Sequence, residues 1–193
     1  AQQAEIRFAD VAADAAIAHI AREGVRVVAV VVNRVATARA TFAAVGRRLA
    51  KLGLAPDTSS LLLTGRSRPV ERDLLIDGFW ERLKANRIRG EHLQPLVVVA
   101  TQCIEAGADL DVDALVSESA SLDALRQRFG RLDRLGERGE SGTTILHRDM
   151  VPDDIGDVDG PSEKEDPDSP EDPIYGAALV ETWKWLNGQV TKT

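Results

Sequence analysis

The segment 123–135, with the sequence DALRQRFGRLDRL, combines positive charge with helical periodicity. Apolar residues recur there at the spacing of an amphipathic helix: Leu122, Leu125, Phe129 and Leu132. The same stretch carries four arginines: Arg126, Arg128, Arg131 and Arg134. Such a helix can stabilise negative charge on a transferring phosphoryl group or neutralise a nucleic-acid backbone. The alternative is a solvated basic face that pairs with nearby carboxylates: Asp123, Asp133 and Glu137.

One glycine interrupts this helical pattern. Gly130 directly precedes Arg131, in what the periodicity predicts to be the helix interior. A glycine at such a position costs about 1 kcal/mol relative to alanine. We therefore expect a ligand or a partner to approach the backbone closely at Gly130.

Helical and strand patterns alternate along the rest of the chain, which must position these arginines. The predicted helices cover residues 9–23, 35–53 and 68–86. The predicted strands cover residues 25–33, 59–65, 95–101, 114–119 and 142–148. Ser121 is a candidate N-cap for the arginine-rich helix. This order predicts an α/β domain with a mostly parallel sheet and helices on both faces.

Polar residues stand where several of the predicted strands end. They form four groups: Asn33-Arg34, Thr64-Gly65-Arg66, Thr101-Gln102 and Ser117-Glu118. In parallel α/β sheets, ligands bind in the crevice beyond the carboxyl ends of the strands. The sequence therefore predicts a functional site at that edge of the sheet.

The acidity of the chain is concentrated in one segment. The whole chain has a formal net charge of -7, while residues 152–173 contain ten carboxylates and one lysine, or -9. The remaining residues sum to -7 minus -9, or +2, so a polyanionic partner is compatible with the body of the protein. We expect a domain over 1–150, an acidic, proline-rich linker or loop over 151–173, and a C-terminal helix within 174–193. That helix either docks on the domain or begins a further one.

Composition also indicates the cellular compartment of the protein. A single cysteine excludes an internal disulfide and fits a reducing compartment. The apolar runs are too short for a membrane span, and no signal peptide opens the chain. We expect a cytoplasmic protein that does not contact a membrane. Because the chain starts without methionine, we also expect it to be a fragment of a longer protein.

Two motifs resemble those of a known enzyme superfamily. The run QRFGRLDR, residues 127–134, resembles the sixth motif of superfamily 2 helicases, Gln-Arg-x-Gly-Arg-x-x-Arg. The run VVVATQCIEAGADLDVDALVSE, residues 97–118, resembles their fifth motif and the strand after it. Within the superfamily the chain is most similar to the CRISPR-associated helicase of type I systems. VVVNRVATARATF and LLLTGRSRPVERD resemble two earlier motifs of that family, so the resemblance spans about residues 25–148.

The resemblance implies a RecA-like domain of the P-loop NTPase type, with three layers. It also implies a catalytic role for Arg131 and Arg134 as arginine fingers that reach across a cleft to the phosphates of ATP. Gln127, as a further catalytic residue, and Arg128, as a residue that binds the nucleotide cofactor, would organise that interface.

The same resemblance implies further binding residues. Asp109 would contact the ribose of ATP, and Gly107 would let the backbone turn beside it. Thr101, Arg66 and Asn33 would hold phosphates of a single nucleic-acid strand. The strand contact at Arg66 departs from the family pattern, because the chain has Thr-Gly-Arg-Ser where relatives commonly carry His-Ser-Arg-Phe.

Motifs that the sequence lacks indicate which half of such an enzyme is present. The sequence contains no Gly-x-x-x-x-Gly-Lys-Ser/Thr loop and no Asp-Glu-x-x box. We therefore expect the second RecA-like domain, with ATP and Mg²⁺ bound mainly by the first, and negligible ATP hydrolysis by this chain alone. The expected partners are single-stranded DNA, the first RecA-like domain of the same chain, a CRISPR surveillance complex and a metal-dependent nuclease domain. We expect no metal site in the chain itself.

Several alternatives remain at this point. The domain could belong to a superfamily 2 RNA helicase, or be a catalytically inactive RecA-like module that binds nucleic acid or a protein. The carboxylates of DLDVD, residues 109–113, could bind a cation, although the pattern of a calcium-binding loop is absent. Trp183 and Trp185 could stack on bases rather than pack in the core. The acidic segment could mimic nucleic acid and cover the arginines.

Overall fold

The computed structural model describes residues 2–65, 77–90, 93–105, 109–148 and 174–189. Its helices are α1 (Gln2–Ile20), α2 (Val35–Lys51), α3 (Pro56–Ser59), α4 (Trp80–Leu83), α5 (Leu122–Phe129) and α6 (Ala177–Gln189), with a 3₁₀ turn at Gln102–Ile104. Its strands are β1 (Val27–Val31), β2 (Ser60–Leu63), β3 (Leu96–Ala100), β4 (Ala114–Glu118) and β5 (Gly142–Leu146). The predictions for Arg66, Gly107 and the acidic segment 151–173 fall outside the described residues.

The five strands form one parallel sheet in the order β2-β3-β1-β4-β5. The central strand β1 places Val31 opposite Ala100 of β3 and Ser117 of β4. This arrangement confirms the predicted α/β class with a parallel sheet. Because all strands run the same way, the polar residues that follow β1, β3 and β4 meet at one edge of the sheet.

Alternate residues of the strands fill two separate cores. Val28 and Val30 face the alanine-rich surfaces of α1 and α2, while Val27, Ala29 and Val31 face the other side, where α4 contributes the buried Leu83. Every residue of β1, β3 and β4 is buried. Burial on both faces is why β1 and β3 appear in the sequence as continuous apolar runs, whereas β4 ends in the buried polar residues Ser117 and Glu118. The prediction of helices on both faces is confirmed.

The structure corrects several predicted helix boundaries. Helix α1 begins at Gln2 rather than at residue 9, since Phe8 and Ala9 already pack toward the core. Within the described part of 68–86, α4 ends at Leu83, because the backbone of Lys84 pairs with that of Leu110. The short helix α3 was not predicted.

The arginine-rich helix is also shorter than its sequence pattern indicates. Ser121 caps its start as predicted, accepting a hydrogen bond from the backbone N–H of Ala124 at 3.4 Å. The helix ends at Phe129, and Gly130 is its C-cap with an ordinary helical φ of -64°. The prediction that Gly130 lies inside the helix is therefore wrong. The chain leaves the helix there because the following residues pair with the backbone of Val112.

None of the helices in the described ranges is long and apolar enough to span a lipid bilayer.

His19 makes the stability of the fold depend on pH. Its side chain is buried, and its Nε2 lies 2.9 Å from the hydroxyl of Thr144 on β5. Burial, and then the positive charge of Arg22, lower the pKa of His19. Below the unfolded pKa of about 6.5, the unfolded chain therefore binds a proton that the folded chain resists.

We expect the unfolding midpoint of the chain to fall as the pH is lowered from about 7 toward 5.5, through the unfolded pKa of histidine. His19→Gln keeps a hydrogen-bonding side chain but removes the titration, so its midpoint should fall less over the same interval. Thermal unfolding at several pH values measures both. Equal decreases for the two proteins would show that other groups cause the pH dependence.

Candidate functional site

The guanidinium of Arg128 is completely buried beyond the carboxyl ends of β1 and β4. An arginine side chain has five N–H groups and can accept no hydrogen bond. Each of these N–H groups finds an acceptor 2.8–3.0 Å away. The acceptors are Oε1 of Glu105, Oγ of Ser117, the carbonyl oxygen of Glu118, Oδ1 of Asn33 and Oη of Tyr175. We call Arg128 and these five residues the carboxyl-edge cluster.

This geometry bears on the predicted roles of Arg128 and Asn33. Because the donors of Arg128 are all engaged within the cluster, the structure favours an organising role for this arginine over direct contact with a nucleotide. Asn33 also donates from its side chain to the carbonyl of Ser119 at 2.8 Å, and from its backbone to Glu118 Oε2 at 2.7 Å. A strand contact by Asn33 remains a prediction, as does nucleotide contact by Arg128.

Thr101 lies at the same edge, directly after β3. Its side chain is buried, and its hydroxyl accepts a hydrogen bond from the backbone N–H of Gly65 at 3.3 Å. This bond joins the ends of β2 and β3, the two positions where the sequence predicts phosphate contacts. Thr101 therefore fixes the backbone at Gly65.

The loop at residues 131–134 is held to the segment before β4 by backbone hydrogen bonds. The N–H of Val112 donates to the carbonyl of Arg131, and the N–H of Asp133 donates to the carbonyl of Val112, both at 2.9 Å. The N–H of Arg134 donates to Asp111 Oδ1 at 2.9 Å. Asp133 adopts a positive φ of 42°, which aspartate tolerates better than most residues. The backbone of this loop is thus fixed by contacts with the DLDVD segment.

The side chains of Arg131, Arg134 and Asp109 come together at this loop. Arg134 Nε lies 3.0 Å from Asp109 Oδ1, and both groups are exposed. Arg131 donates from Nη2 to the carbonyl of Glu105 at 3.0 Å. Burial, and then the nearby charge of Arg134, lower the pKa of Arg131, while Asp109 opposes the shift. A partly desolvated cation next to a second one attracts an anion more strongly than an arginine in bulk water.

Gln127 and Arg126 lie on the outer surface of α5. Both are exposed, and Arg126 pairs with Asp123 at 3.8 Å. The four arginines of the segment therefore have different surroundings: Arg126 is solvated, Arg128 is buried, and Arg131 and Arg134 share the loop. The alternative of a solvated basic face that pairs with nearby carboxylates therefore holds for Arg126 but not for Arg128.

A second charged cluster, at the amino ends of the strands, was missed by sequence reasoning. We call Arg87, Arg89, Asp111 and Asp113 the amino-edge cluster. Arg87 Nη2 donates to Asp113 Oδ1 at 2.7 Å, and Arg89 donates to both aspartates. The other oxygen of Asp113 accepts the N–H groups of Arg26 and Val27 at 2.9 and 2.8 Å. The matching Arg-x-Arg and Asp-x-Asp spacings were the signal that could have revealed it.

In the amino-edge cluster, two of the three DLDVD aspartates have arginine partners. Asp111 and Asp113 are both buried against arginine side chains. Burial raises the pKa of Asp111. Burial acts in the same sense on Asp113, but Arg87 and the two backbone N–H groups together lower the pKa of that carboxyl. Among the residues that the structure describes, no three His, Cys, Asp or Glu side chains gather as metal ligands.

The two tryptophans of α6 differ in their surroundings. Trp183 stacks on the ring of His147, with ring centroids 4.2 Å apart and an interplanar angle of 8°. Trp185 is half exposed beside Leu122 and Glu181, in a shallow groove between α5 and α6. The packing interpretation thus fits Trp183.

Comparison with known proteins identifies the motifs as those of one family. Residues 24–137 match the family model described as "CRISPR-associated nuclease/helicase Cas3, C-terminal". The CRISPR-associated nuclease/helicase Cas3 of Haloferax volcanii is 36% identical over 84 residues, which cover 44% of this chain and 8% of that protein. The matched segment therefore spans less than a tenth of the length of this relative.

Solved structures share the fold. The crystal structure of T. fusca Cas3 with ATP has a TM-score of 0.66 at 23% identity, covering 94% of this chain and 19% of that one. A CRISPR RNA-guided surveillance complex in a pre-nicking state contains a chain with a TM-score of 0.58 at 22% identity, covering 85% of this chain and 19% of that one. These similarities confirm the RecA-like fold.

The carboxyl-edge cluster predicts a large difference between two arginines on the same helix. Arg128→Lys keeps the charge but offers three donors in place of five, so buried acceptors lose their partners. We expect a loss on the order of 3 kcal/mol in the free energy of unfolding. Arg126→Lys, at the solvated position, should change it by less than about 0.5 kcal/mol. Denaturant unfolding measures both, and a similar loss for the two variants would contradict the role of the cluster.

Proposed function

The chain belongs to the family of C-terminal domains of the CRISPR-associated nuclease/helicase Cas3, and from this premise we propose that it is the second RecA-like half of an ATP-dependent DNA helicase. Arg131 and Arg134 act as its arginine fingers. They stabilise negative charge on the phosphates of ATP, which the first RecA-like domain mainly binds. Mg²⁺ bound with the nucleotide would neutralise a further part of that charge.

One observation carries this proposal: Arg131 and Arg134 lie on a loop whose backbone is fixed, and Arg134 pairs there with Asp109 of the segment before β4. The pairing of Val112 with the loop and the bond from Arg134 to Asp111 hold the backbone before any ligand arrives. Electrostatic catalysis requires such preorganised charge, because a flexible cation would have to be ordered at the moment of reaction. The exposed position of Arg134 leaves its guanidinium accessible to a second domain.

The same fold supports a role in holding a nucleic-acid strand at the carboxyl edge of the sheet. Thr101 joins the ends of β2 and β3 there through its hydrogen bond from Gly65. We propose that this edge contacts phosphates of single-stranded DNA. Closure of the two RecA-like domains on ATP would bring the loop that carries Arg131 and Arg134, which we call the arginine loop, to the phosphates. Reopening after hydrolysis would shift the contacts of the two domains along the strand.

The proposed partners follow from family membership. They are the first RecA-like domain of the same protein, a CRISPR surveillance complex and a metal-dependent nuclease domain. The surveillance-complex structure with a similar chain supports the second of these partners.

A specific observation also favours a second candidate, a RecA-like module without catalysis. Arg131 already donates to the carbonyl of Glu105, and Arg134 already pairs with the carboxylate of Asp109. In such a module these pairs would be purely structural. Substitution of Arg131 would then leave ATP turnover unchanged.

The proposal predicts that Arg131→Ala abolishes catalysis without abolishing strand binding. In the full-length parent protein, we expect DNA-stimulated ATP turnover to fall on the order of 10³-fold or more. Binding of single-stranded DNA should change little, because the strand contacts are assigned to Thr101, Arg66 and Asn33 and not to Arg131. Arg126→Ala, from the same segment, is the matched control and should retain turnover. Unchanged turnover in Arg131→Ala would favour the binding module instead.

Gly130 provides a test of close approach between the two domains. A β-carbon at Gly130 would lie 3.5 Å from the carbonyl oxygens of Arg126 and Gln127, which is ordinary contact, and the backbone there is helical. The isolated fold therefore tolerates alanine, and Gly130→Ala should leave the unfolding midpoint of this chain unchanged or slightly raised. If the partner domain approaches this backbone, turnover in the full-length protein should fall roughly 10- to 100-fold. Normal turnover would show that the surface stays open during catalysis.

A further inference from the structure

Tyr175 supplies one of the five acceptors of the buried Arg128. Its hydroxyl oxygen lies 3.0 Å from Arg128 Nη2, in the turn directly before α6. This residue lies outside the 24–137 segment that matches the family model. Without the hydroxyl, one N–H of a completely buried cation would lose its acceptor, and an unsatisfied buried charged group is costly.

Helix α6 holds Tyr175 in place through contacts of its own. Trp183 stacks on His147, whose Nδ1 lies 2.8 Å from the hydroxyl of Ser119. Leu186 and the ring of Tyr175 pack against the small apolar cluster that includes Leu125 of α5. The position of the hydroxyl therefore depends on a docked helix that contacts the domain at several points.

Arg128 connects this hydroxyl to the arginine loop. Its Nε donates to Glu105 Oε1 at 2.8 Å, and its Nη2 lies 2.8 Å from the same oxygen. The backbone carbonyl of Glu105 in turn accepts the hydrogen bond from Arg131 Nη2 at 3.0 Å. A shift of Arg128 therefore moves the residue that holds the side chain of Arg131.

We infer that Tyr175 is a positioning residue for the arginine fingers, acting through Arg128 and Glu105. The inference rests on the proposed function, since it concerns how Arg131 is presented to ATP. It makes α6 part of the catalytic framework of the domain. The phenol serves two purposes: its ring packs beside α5, and its hydroxyl fixes the guanidinium.

Because the ring and the hydroxyl of Tyr175 make different contacts, one substitution can test the hydroxyl alone. Tyr175→Phe removes only the acceptor and keeps the packing of the ring. In the full-length parent protein, we expect kcat for DNA-stimulated ATP hydrolysis to fall about tenfold, the size of effect that loss of one hydrogen bond to a charged group produces. The KM for ATP and the Kd for single-stranded DNA should stay within about twofold, because Tyr175 touches neither ligand.

Leu186→Ala is the matched control for the docking of α6. It removes packing against α5 but keeps the Tyr175 hydroxyl, so it should lower the unfolding midpoint more, and kcat less, than Tyr175→Phe does. If both variants lost kcat, DNA affinity and thermal stability in parallel, Tyr175 would serve only to dock the helix, and the inference would be wrong.

Two further comparisons distinguish a failure of this inference from a failure of the proposed function. In a Glu105→Gln background, Tyr175→Phe should cause little additional loss of kcat, because both residues act through Arg128; fully additive losses would overturn the relay. Arg131→Ala is measured alongside. Loss of turnover in Arg131→Ala with normal kcat in Tyr175→Phe would overturn this inference and leave the proposed function intact. Normal turnover in both would overturn the proposed function itself.

Discussion

The buried guanidinium of Arg128 is the constraint on which the arrangement of the site depends. Removing a cation from water is costly, and the cost is offset only when its hydrogen bonds are satisfied. The five acceptors come from the end of β1, from β4, from the 3₁₀ turn after β3 and from the turn before α6. Any displacement of one of these segments would leave a buried donor without a partner. Arg128 therefore makes the relative positions of four chain segments mutually dependent.

The arginine-rich segment is attached to both edges of the sheet, to one through a buried cation and to the other through buried carboxylates. At the carboxyl edge of the sheet a positive side chain, Arg128, is surrounded by oxygen atoms. At the amino edge two buried carboxylates, Asp111 and Asp113, are surrounded by arginines and backbone N–H groups. Helix α5 and its loop run between these clusters. The positions of Arg131 and Arg134 follow from this double attachment, because the exposed side chains extend from a backbone that cannot shift freely.

Local patterns in the sequence predicted the elements well where burial is uniform. β1 and β3 are buried on both faces, so they appear in the sequence as unbroken apolar runs. The cap at Ser121 was predicted because capping is a contact within one turn. Prediction failed where a distant partner decides the backbone. The arginine-rich helix stops at Phe129 because Val112, seventeen positions earlier, pairs with the loop that follows.

The sequence by itself determined the order of the strands along the chain, the spacing of the arginines and the motifs that identify the family, because these are local properties of the residues. Tertiary structure alone decided which arginine is buried and which is exposed, and that Asp111 and Asp113 bind Arg87 and Arg89. It also decided that Tyr175 completes the shell of Arg128. These contacts join residues up to 95 positions apart. Their existence depends on the register of parallel strands and the docking of α6, because side chains so distant in sequence meet only when the folded backbone places them within hydrogen-bonding distance.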